Sequence, residues 1–371
     1  MSLVLEHVLG FSGTRQGVLG LNAGKTHLVY ALGASVVVTS MSDPTDQVSL
    51  RGHNDDVVAL DVSSDGRYCV SGQTGVDSDV CVWDLEESRM MYRFSEHDYG
   101  ISGVGFTDDC RFVVSVGIKN DGNIYVLEAA TGDIVGHLKI SDQPVSVAVG
   151  GRVVDSRGRK TAVYQFAVAY PGSLTKYLFT PKDNEIETVP QTIGRVRQDF
   201  VSLSFASSGD YIVAGTPSGL CVIVSTVHDQ TASMIPIPCK TTIDTVTPLP
   251  GLNPRFAAAS HDTARAEPGD GRRRPIRRTY ATYDPEAQRE GLLLGCVDGS
   301  LFCVYGMGQD WDAVPLLEGD TLDAPIKSMA IVSDKSFSDM IVDGVSSFEF
   351  VCGCADGSIV LVGPETEGEG E

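Results

Sequence analysis

One short segment near the N-terminus carries residue types that could bind a phosphate group. Gly20 and Gly24 are followed by Lys25 and Thr26, the order found in phosphate-binding loops. Such a loop needs one more residue between its glycines to wrap phosphate oxygens with backbone N–H groups, and it must lead into a helix. Here the segment aligns with a second turn, Gly66–Cys69, that leads into a β-like run. We therefore predict a turn between two strands and no nucleotide site.

Histidines and cysteines could act as metal ligands, general bases or nucleophiles. The 7 His contain no pair at the spacing of helical metal ligands, and the one close Cys pair, Cys352 and Cys354, has the period of a strand. The 9 Cys are odd in number and lie mostly in apolar runs, so they are predicted to be reduced and packed. No Gly-x-Ser-x-Gly nucleophile turn is present. We expect no enzyme activity and therefore no catalytic residue, metal, cofactor or small-molecule substrate.

An internal repeat indicates which elements position the remaining polar residues. Its clearest copy begins at Gly52 and His53, contains three apolar runs and two turns, and ends at Trp83 and Asp84. A second copy begins at His97 and repeats the turn of the first. Short turns between apolar runs are typical of β-hairpins. They recur at Ser218–Gly219, Asp298–Gly299 and Asp356–Gly357.

Seven units of this kind predict an all-β fold, a closed seven-bladed propeller in which each blade packs on its neighbours. The single domain spans residues 3–363, with blades at residues 17–50, 53–95, 98–140, 143–190, 198–239, 242–319 and 323–363. The last unit ends after its third strand, so residues 3–11 are expected to supply its outer strand and close the ring. Residues 364–371 form an acidic tail.

The second unit resembles a WD repeat, because Gly52-His53 and Trp83-Asp84 lie at the separation typical of that family. The resemblance implies a WD40-type propeller in which a hydrogen-bonded tetrad locks each blade. The matching residues are His53, Ser71, Asp77 and Trp83. The third unit has Leu127-Glu128 in place of Trp-Asp, and the fourth to seventh lack both the His and the Trp.

Charge and hydropathy limit the range of partners. Asp and Glu number 49 and Lys and Arg 28, a formal net charge of −21, which disfavours nucleic acid. No apolar stretch is long enough to span a membrane and no signal peptide is evident, so we expect a cytosolic protein without a membrane partner.

Three units have long gaps between their first and second strands, at residues 150–161, 251–291 and 333–347. Equivalent loops of a propeller open on the same face, so these three are expected to lie together. The longest gap carries an arginine cluster that could dock an anionic partner and that also fits a solvated loop. The cluster consists of Arg272, Arg273, Arg274, Arg277 and Arg278.

A narrower resemblance covers residues 3–140, carried by Leu5–Gly13, Leu28–Gly33 and the run from Arg51 to Gln73. This part is similar to the N-terminal propeller of the cilia- and flagella-associated WD-repeat proteins of doublet microtubules. The echinoderm microtubule-associated protein-like family shares the Ser71-Gly72-Gln73 segment and is the second resemblance. Members of the first family carry two tandem propellers.

The resemblance implies a non-catalytic structural protein of the ciliary or flagellar axoneme. Such a protein binds tubulin inside the doublet microtubule together with other axonemal proteins. The alternative is a general cytosolic scaffold or substrate adaptor that holds a peptide or a protein on one face of the propeller. The two hypotheses differ in their target, since only the first predicts saturable binding to polymerised tubulin.

Overall fold

The computed structural model describes residue 11 and residues 16–155, 158–194, 198–238, 241–249, 290–317, 321–332 and 349–363. These residues form strands and turns, with no helix among them. The strands make seven antiparallel sheets, six with four strands and one with three. Each sheet uses strands that are consecutive in the chain, as the hairpin turns predict.

The first four sheets contain β1 (Leu19–Leu21), β2 (His27–Leu32), β3 (Ser35–Ser40), β4 (Gln47–Arg51), β5 (Val57–Val62), β6 (Tyr68–Gln73), β7 (Val76–Asp84), β8 (Arg89–Tyr99), β9 (Ile101–Phe106), β10 (Phe112–Gly117), β11 (Asn123–Glu128), β12 (Ile134–Lys139), β13 (Ser146–Val154), β14 (Lys160–Tyr170), β15 (Ser173–Thr180) and β16 (Glu185–Pro190). The other three contain β17 (Ser202–Phe205), β18 (Tyr211–Gly215), β19 (Leu220–Ser225), β20 (Gln230–Pro236), β21 (Ile243–Pro248), β22 (Glu290–Cys296), β23 (Leu301–Met307), β24 (Asp310–Pro315), β25 (Ile326–Ile331), β26 (Phe350–Cys354) and β27 (Ile359–Val362).

The seven sheets close into a ring through their first strands. Each first strand contacts the first strand of the next sheet, and β25 of the seventh contacts β1 of the first. The N–H of Gly17 donates to the carbonyl of Lys327 across this last junction at 3.2 Å. The prediction of an all-β, seven-bladed propeller is confirmed.

The core lies between neighbouring blades, because the middle strands are covered on both sides. All six residues of β10 are buried, whereas most residues of the outer strand β16 are exposed. Small residues on the inner strands allow this close approach. A Cβ atom at Gly103 would lie 2.6 Å from Cβ of Val147 on the next blade, so this position has no room for a side chain.

Two faces are defined by the connections between strands. The upper face carries the turns between second and third strands and the loops that lead from one blade to the next. These contact each other, as when Thr74 N donates to the Asp56 carbonyl at 2.9 Å and Ile118 N to the Gly100 carbonyl at 2.8 Å. The lower face carries the turns between first and second and between third and fourth strands.

The turn that follows β1 has the predicted form. Residues 22–26 connect β1 to β2, and the Asn22 side-chain oxygen accepts hydrogen bonds from the N–H groups of Thr26 and His27, both at 2.9 Å. The Asn22 side chain therefore occupies the loop interior. Because β2 follows where a phosphate-binding loop would need a helix N-terminus, this segment is a hairpin turn.

The first predicted gap, residues 150–161, is not a long loop, because β13 runs to Val154 and β14 begins at Lys160, so that residues 155–159 connect the two strands. The second and third gaps connect β21 to β22 and β25 to β26, whose joined ends lie on the lower face, and residues 250–289 and 333–348 within them lie outside the described residues. The arginine cluster 272–278 in the second gap lies outside the described residues, and so does the acidic tail 364–371.

The predicted closing strand also lies outside the described residues, except for Phe11 at its end. The Phe11 side chain is buried and makes an edge contact with Tyr30 of the first blade, with ring centroids 6.2 Å apart. On its other side the Phe11 ring covers Gly353 in β26, where a Cβ atom would lie 2.8 Å from it. Phe11 thus fills the seam between the first and last blades.

The backbone of Phe11 has counterparts in other blades. Its carbonyl oxygen lies 3.3 Å from the Cβ position of Gly357, the turn before β27. In two other blades the residue directly after the outer strand contacts the equivalent turn glycine, and in the sixth blade a residue seven positions after β24 does so. These contacts are Ile140 N to Gly122 O at 2.8 Å, Ile237 N to Gly219 O at 2.8 Å and Leu322 N to Gly299 O at 3.0 Å.

Candidate interaction site

The predicted tetrad residues His53, Ser71 and Trp83 meet inside the second blade. Trp83 Nε1 donates to Ser71 Oγ at 2.7 Å, and Ser71 Oγ lies 2.7 Å from His53 Nε2. His53 Nδ1 lies 2.8 Å from the side-chain oxygen of Gln73. One proton arrangement satisfies all three bonds: the indole donates to Ser71, Ser71 donates to His53, and His53 donates to Gln73.

Asp77 does not take the predicted fourth place in this tetrad, which Gln73 fills. Asp77, the second residue of β7, is exposed and has a left-handed backbone conformation with a φ of 52°. The third blade shows the reason, because Gly117 stands there in the position of Gln73. A Cβ atom at Gly117 would lie 2.0 Å from the carboxylate of Asp121. The space that Asp121 occupies in the third blade is therefore taken by the Gln73 side chain in the second.

The third blade contains a second lock that the sequence analysis missed. His97 Nε2 lies 2.7 Å from Ser115 Oγ, and His97 Nδ1 lies 2.7 Å from the Asp121 carboxylate. Leu127 stands at the position of the tryptophan, and the ring of Tyr125 packs edge-on against His97 with centroids 5.0 Å apart. The signal was present in the sequence, because His97, Ser115 and Asp121 follow His53, Ser71 and Asp77 at the same interval.

The electrostatics of both locks favour a structural role. Burial lowers the pKa of His53 below its usual value, so the neutral ring is the stable form. Burial alone would raise the pKa of Asp121, but hydrogen bonds from His97 and from backbone N–H groups lower it overall. Ser71 and Ser115 are fully buried, so their hydroxyls cannot reach a substrate.

The first strands line a central channel of about 500 Å³. Asp244 on β21 accepts a hydrogen bond from Gln16 at 3.0 Å and pairs with Lys327 on β25 at 2.5 Å. Asp61 on β5 accepts a hydrogen bond from the N–H of Phe106 on the next blade at 2.8 Å. These carboxylates brace neighbouring blades, and burial raises the pKa of Asp61 to about 6.

Among the described residues, no group of three or more His, Cys, Asp or Glu side chains is placed to hold a metal ion. Cys352 and Cys354 both lie buried on β26, and burial raises the pKa of each thiol. Likewise, no helix in the described part is long and apolar enough to cross a membrane.

Several cations on the lower face are paired with acids of the same face. Each pair neutralises much of the local charge, so these residues do not form a free basic patch. The pairs are Arg67–Asp84 at 3.7 Å, Arg152–Asp109 at 3.4 Å, Arg159–Asp155 at 2.8 Å, Lys160–Asp108 at 2.7 Å and Arg89 with Glu87.

The upper face of the second blade differs from the other blades. Strand β8 continues to Tyr99, past the predicted boundary at residue 95, and Tyr99 pairs with Val76 at the start of β7. Val76 is 70% exposed and Tyr99 42% exposed. The repeat pattern did not reveal this extension, because Val76 and Tyr99 lie among polar residues that read as a loop.

The hydrogen-bonded blade and the ring of seven sheets together decide the family. A family model described as "WD domain, G-beta repeat" matches residues 44–84, the stretch that carries His53, Ser71 and Trp83. The chain is a WD40 β-propeller. Two solved structures, "Structure of U3-55K" and "Crystal structure of RRP9 WD40 repeats", each have a TM-score of 0.61 and 13% identity. They cover 94% of this chain, with 89% and 88% of their own length, and so share the fold.

Curated relatives of this WD40 propeller include ciliary proteins. The chain is 27% identical over 221 residues to "Cilia- and flagella-associated protein 52" of Chlamydomonas reinhardtii. This match covers 58% of this chain and 34% of that protein. It is 26% identical over 222 residues to the protein of the same name from Bos taurus, covering 59% and 35%. A shorter match of 98 residues at 32% identity, to "WD repeat-containing protein 62" of Sus scrofa, covers 26% and 6%. The chain spans about a third of the length of the ciliary relatives it matches.

Proposed function

We propose that this chain is a non-catalytic structural protein of the ciliary or flagellar axoneme that binds tubulin as an inner protein of the doublet microtubule. The observation that carries the proposal is the match of 221 residues to a cilia- and flagella-associated protein. The name of that relative places it in cilia and flagella. Transfer of its location and partners to this chain is our inference.

The organisation of the polar residues supports a structural role. The buried histidines and serines are used in the two blade locks, and the channel carboxylates are used between blades. A rigid propeller held in this way presents fixed loops on two faces, which suits it to bind protein surfaces.

Contact with tubulin is assigned to the lower face. Tubulin is acidic, so a chain of net charge −21 needs a local basic surface to approach it. The sequence between β21 and β22, strands whose joined ends lie on the lower face, carries five arginines at 272–278, and we assign the attraction to tubulin to their charge.

Co-sedimentation with polymerised microtubules tests the proposal. The wild-type chain should bind saturably, and the change of Arg272, Arg273, Arg274, Arg277 and Arg278 to Ala should weaken binding. A matched control changes five exposed cations to Ala, namely Arg89, Lys119, Lys139, Arg159 and Lys182, and so removes the same charge. Equal loss in both variants would reject the arginine site, and no binding by the wild type would reject tubulin as the partner in favour of the scaffold alternative.

A further inference from the structure

An exposed apolar pair stands on the upper face of the second blade. Val76 and Tyr99 are partners in the β7–β8 ladder, 70% and 42% exposed. Cross-strand partners place their side chains on the same face of a ribbon, so the two form one apolar surface. Neither residue belongs to the core or to the blade locks, so the fold gives no reason for apolar residues here.

Four upper-face segments meet around this pair. A Cβ atom at Gly75 would lie 2.4 Å from the Asp55 carboxylate, and one at Gly100 would lie 3.2 Å from Thr74 Oγ1. The N–H of Asp98 donates to the Asp121 carboxylate at 2.9 Å. Residues 54–56, 74–77, 96–100 and 118–122 therefore form one continuous surface.

This surface is predominantly acidic. Across these four segments the exposed acids are Asp55, Asp56, Asp77, Glu96 and Asp98, and the exposed cation is Lys119. None of these acids takes part in the tetrad of its own blade, where Gln73 fills the position predicted for Asp77. We name Val76 and Tyr99 with the five acids the Val76–Tyr99 ridge.

We propose that the Val76–Tyr99 ridge is a docking site for a basic, extended segment of a partner protein. Such a segment would place an apolar side chain on Val76 and Tyr99 and Arg or Lys side chains beside the flanking carboxylates. Buried aromatic contact supplies most of the binding energy in interfaces of this type, and charge complementarity selects the partner and speeds its approach. Most of the ridge residues lie on the paired strands β7 and β8, and Asp55 and Asp56 lie on the loop before β5, so little ordering of the strand residues is needed on binding.

This site does not depend on the proposed tubulin contact, since it lies on the opposite face and selects the opposite charge. It is tested with a fluorescently labelled peptide of alternating Arg and Val residues and a matched peptide of alternating Glu and Val, by fluorescence anisotropy on the full chain. The Arg-Val peptide should bind with an affinity that falls as salt rises, and the Glu-Val peptide should not bind.

Two sets of substitutions locate the binding. Asp55→Asn, Asp77→Asn and Asp98→Asn together should weaken binding by about tenfold, the loss expected for three exposed charge contacts. The control changes Glu86→Gln, Asp133→Asn and Asp183→Asn on the lower face, which alters the net charge equally. Val76→Ser with Tyr99→Ser should also weaken binding while its salt dependence is retained.

Equal weakening by the ridge and control sets would show attraction to net charge alone and would overturn the proposal. So would the absence of binding by the Arg-Val peptide, or full binding after Val76→Ser and Tyr99→Ser. None of these results bears on microtubule co-sedimentation, so the failure of one proposal is distinguishable from the failure of the other.

Discussion

Gln73 occupies the position in the second-blade lock that was predicted for Asp77, so substitutions of these two residues should change stability by different amounts. Gln73→Ala removes the acceptor that lies 2.8 Å from His53 Nδ1 in a buried site. An unsatisfied buried donor costs about 1 to 3 kcal/mol, so the free energy of unfolding should fall by that amount. Asp77→Asn removes the charge of an exposed side chain and keeps a residue that tolerates positive φ, so its effect should stay within about 0.5 kcal/mol.

Asp121 in the third blade is the matched comparison. It occupies the position that follows from Asp77 by the repeat, but its carboxylate pairs with His97 at 2.7 Å. Asp121→Asn removes a charge-assisted hydrogen bond and should cost about 1.5 to 3 kcal/mol. The same substitution should thus be harmless in one blade and costly in the next.

Urea denaturation, followed by the fluorescence of the two tryptophans, measures all three variants. A shift of the midpoint at constant slope reports a change in stability alone. A large loss for Asp77→Asn together with none for Gln73→Ala would refute the assignment of the lock.

Three further predictions concern the core, the channel and the seam. Trp83→Ala should lower the free energy of unfolding by about 3 to 5 kcal/mol, because the ring is fully buried; an unshifted melting curve would refute its place in the core. Asp61 has a folded-state pKa of about 6, raised by burial above the unfolded value, so its contribution to stability should fall by about 3 kcal/mol in total as pH rises from about 3 to about 7, about 2 kcal/mol of it between pH 4 and 6, and then stay level. Urea curves of the wild type and Asp61→Asn across this pH range measure the difference, and parallel pH profiles would contradict it. Phe11→Ala should cost about 3 to 5 kcal/mol and increase amide exchange in β2 and β26 above all, and uniform exchange across the blades would contradict the seam.

The architecture could be predicted from the sequence because the repeat is a local pattern. Hairpin turns such as Asp298–Gly299 and the apolar runs beside them identify strands. Seven such units can cover the faces of their sheets by packing on one another in a closed ring. The lock residues His53, Ser71 and Trp83 followed from the resemblance of the second unit to a WD repeat.

The features of the locks that the sequence did not predict depend on which of two side chains occupies the same space. Asp77 and Asp121 have the same spacing, but Gln73 blocks the first and Gly117 admits the second. The third-blade lock was missed because Leu127 stands at the tryptophan position there. The Val76–Tyr99 pairing was missed because it depends on a bulged ladder with register shifts, which apolar periodicity does not report.

The central claim, a structural role in the axoneme, is tested most directly by location. The tagged full chain would be expressed in a flagellated cell, and its axonemes would be extracted with detergent and then with high salt. The account predicts that the protein stays with the doublet microtubules through both steps. Release into the soluble fraction with detergent alone would contradict it.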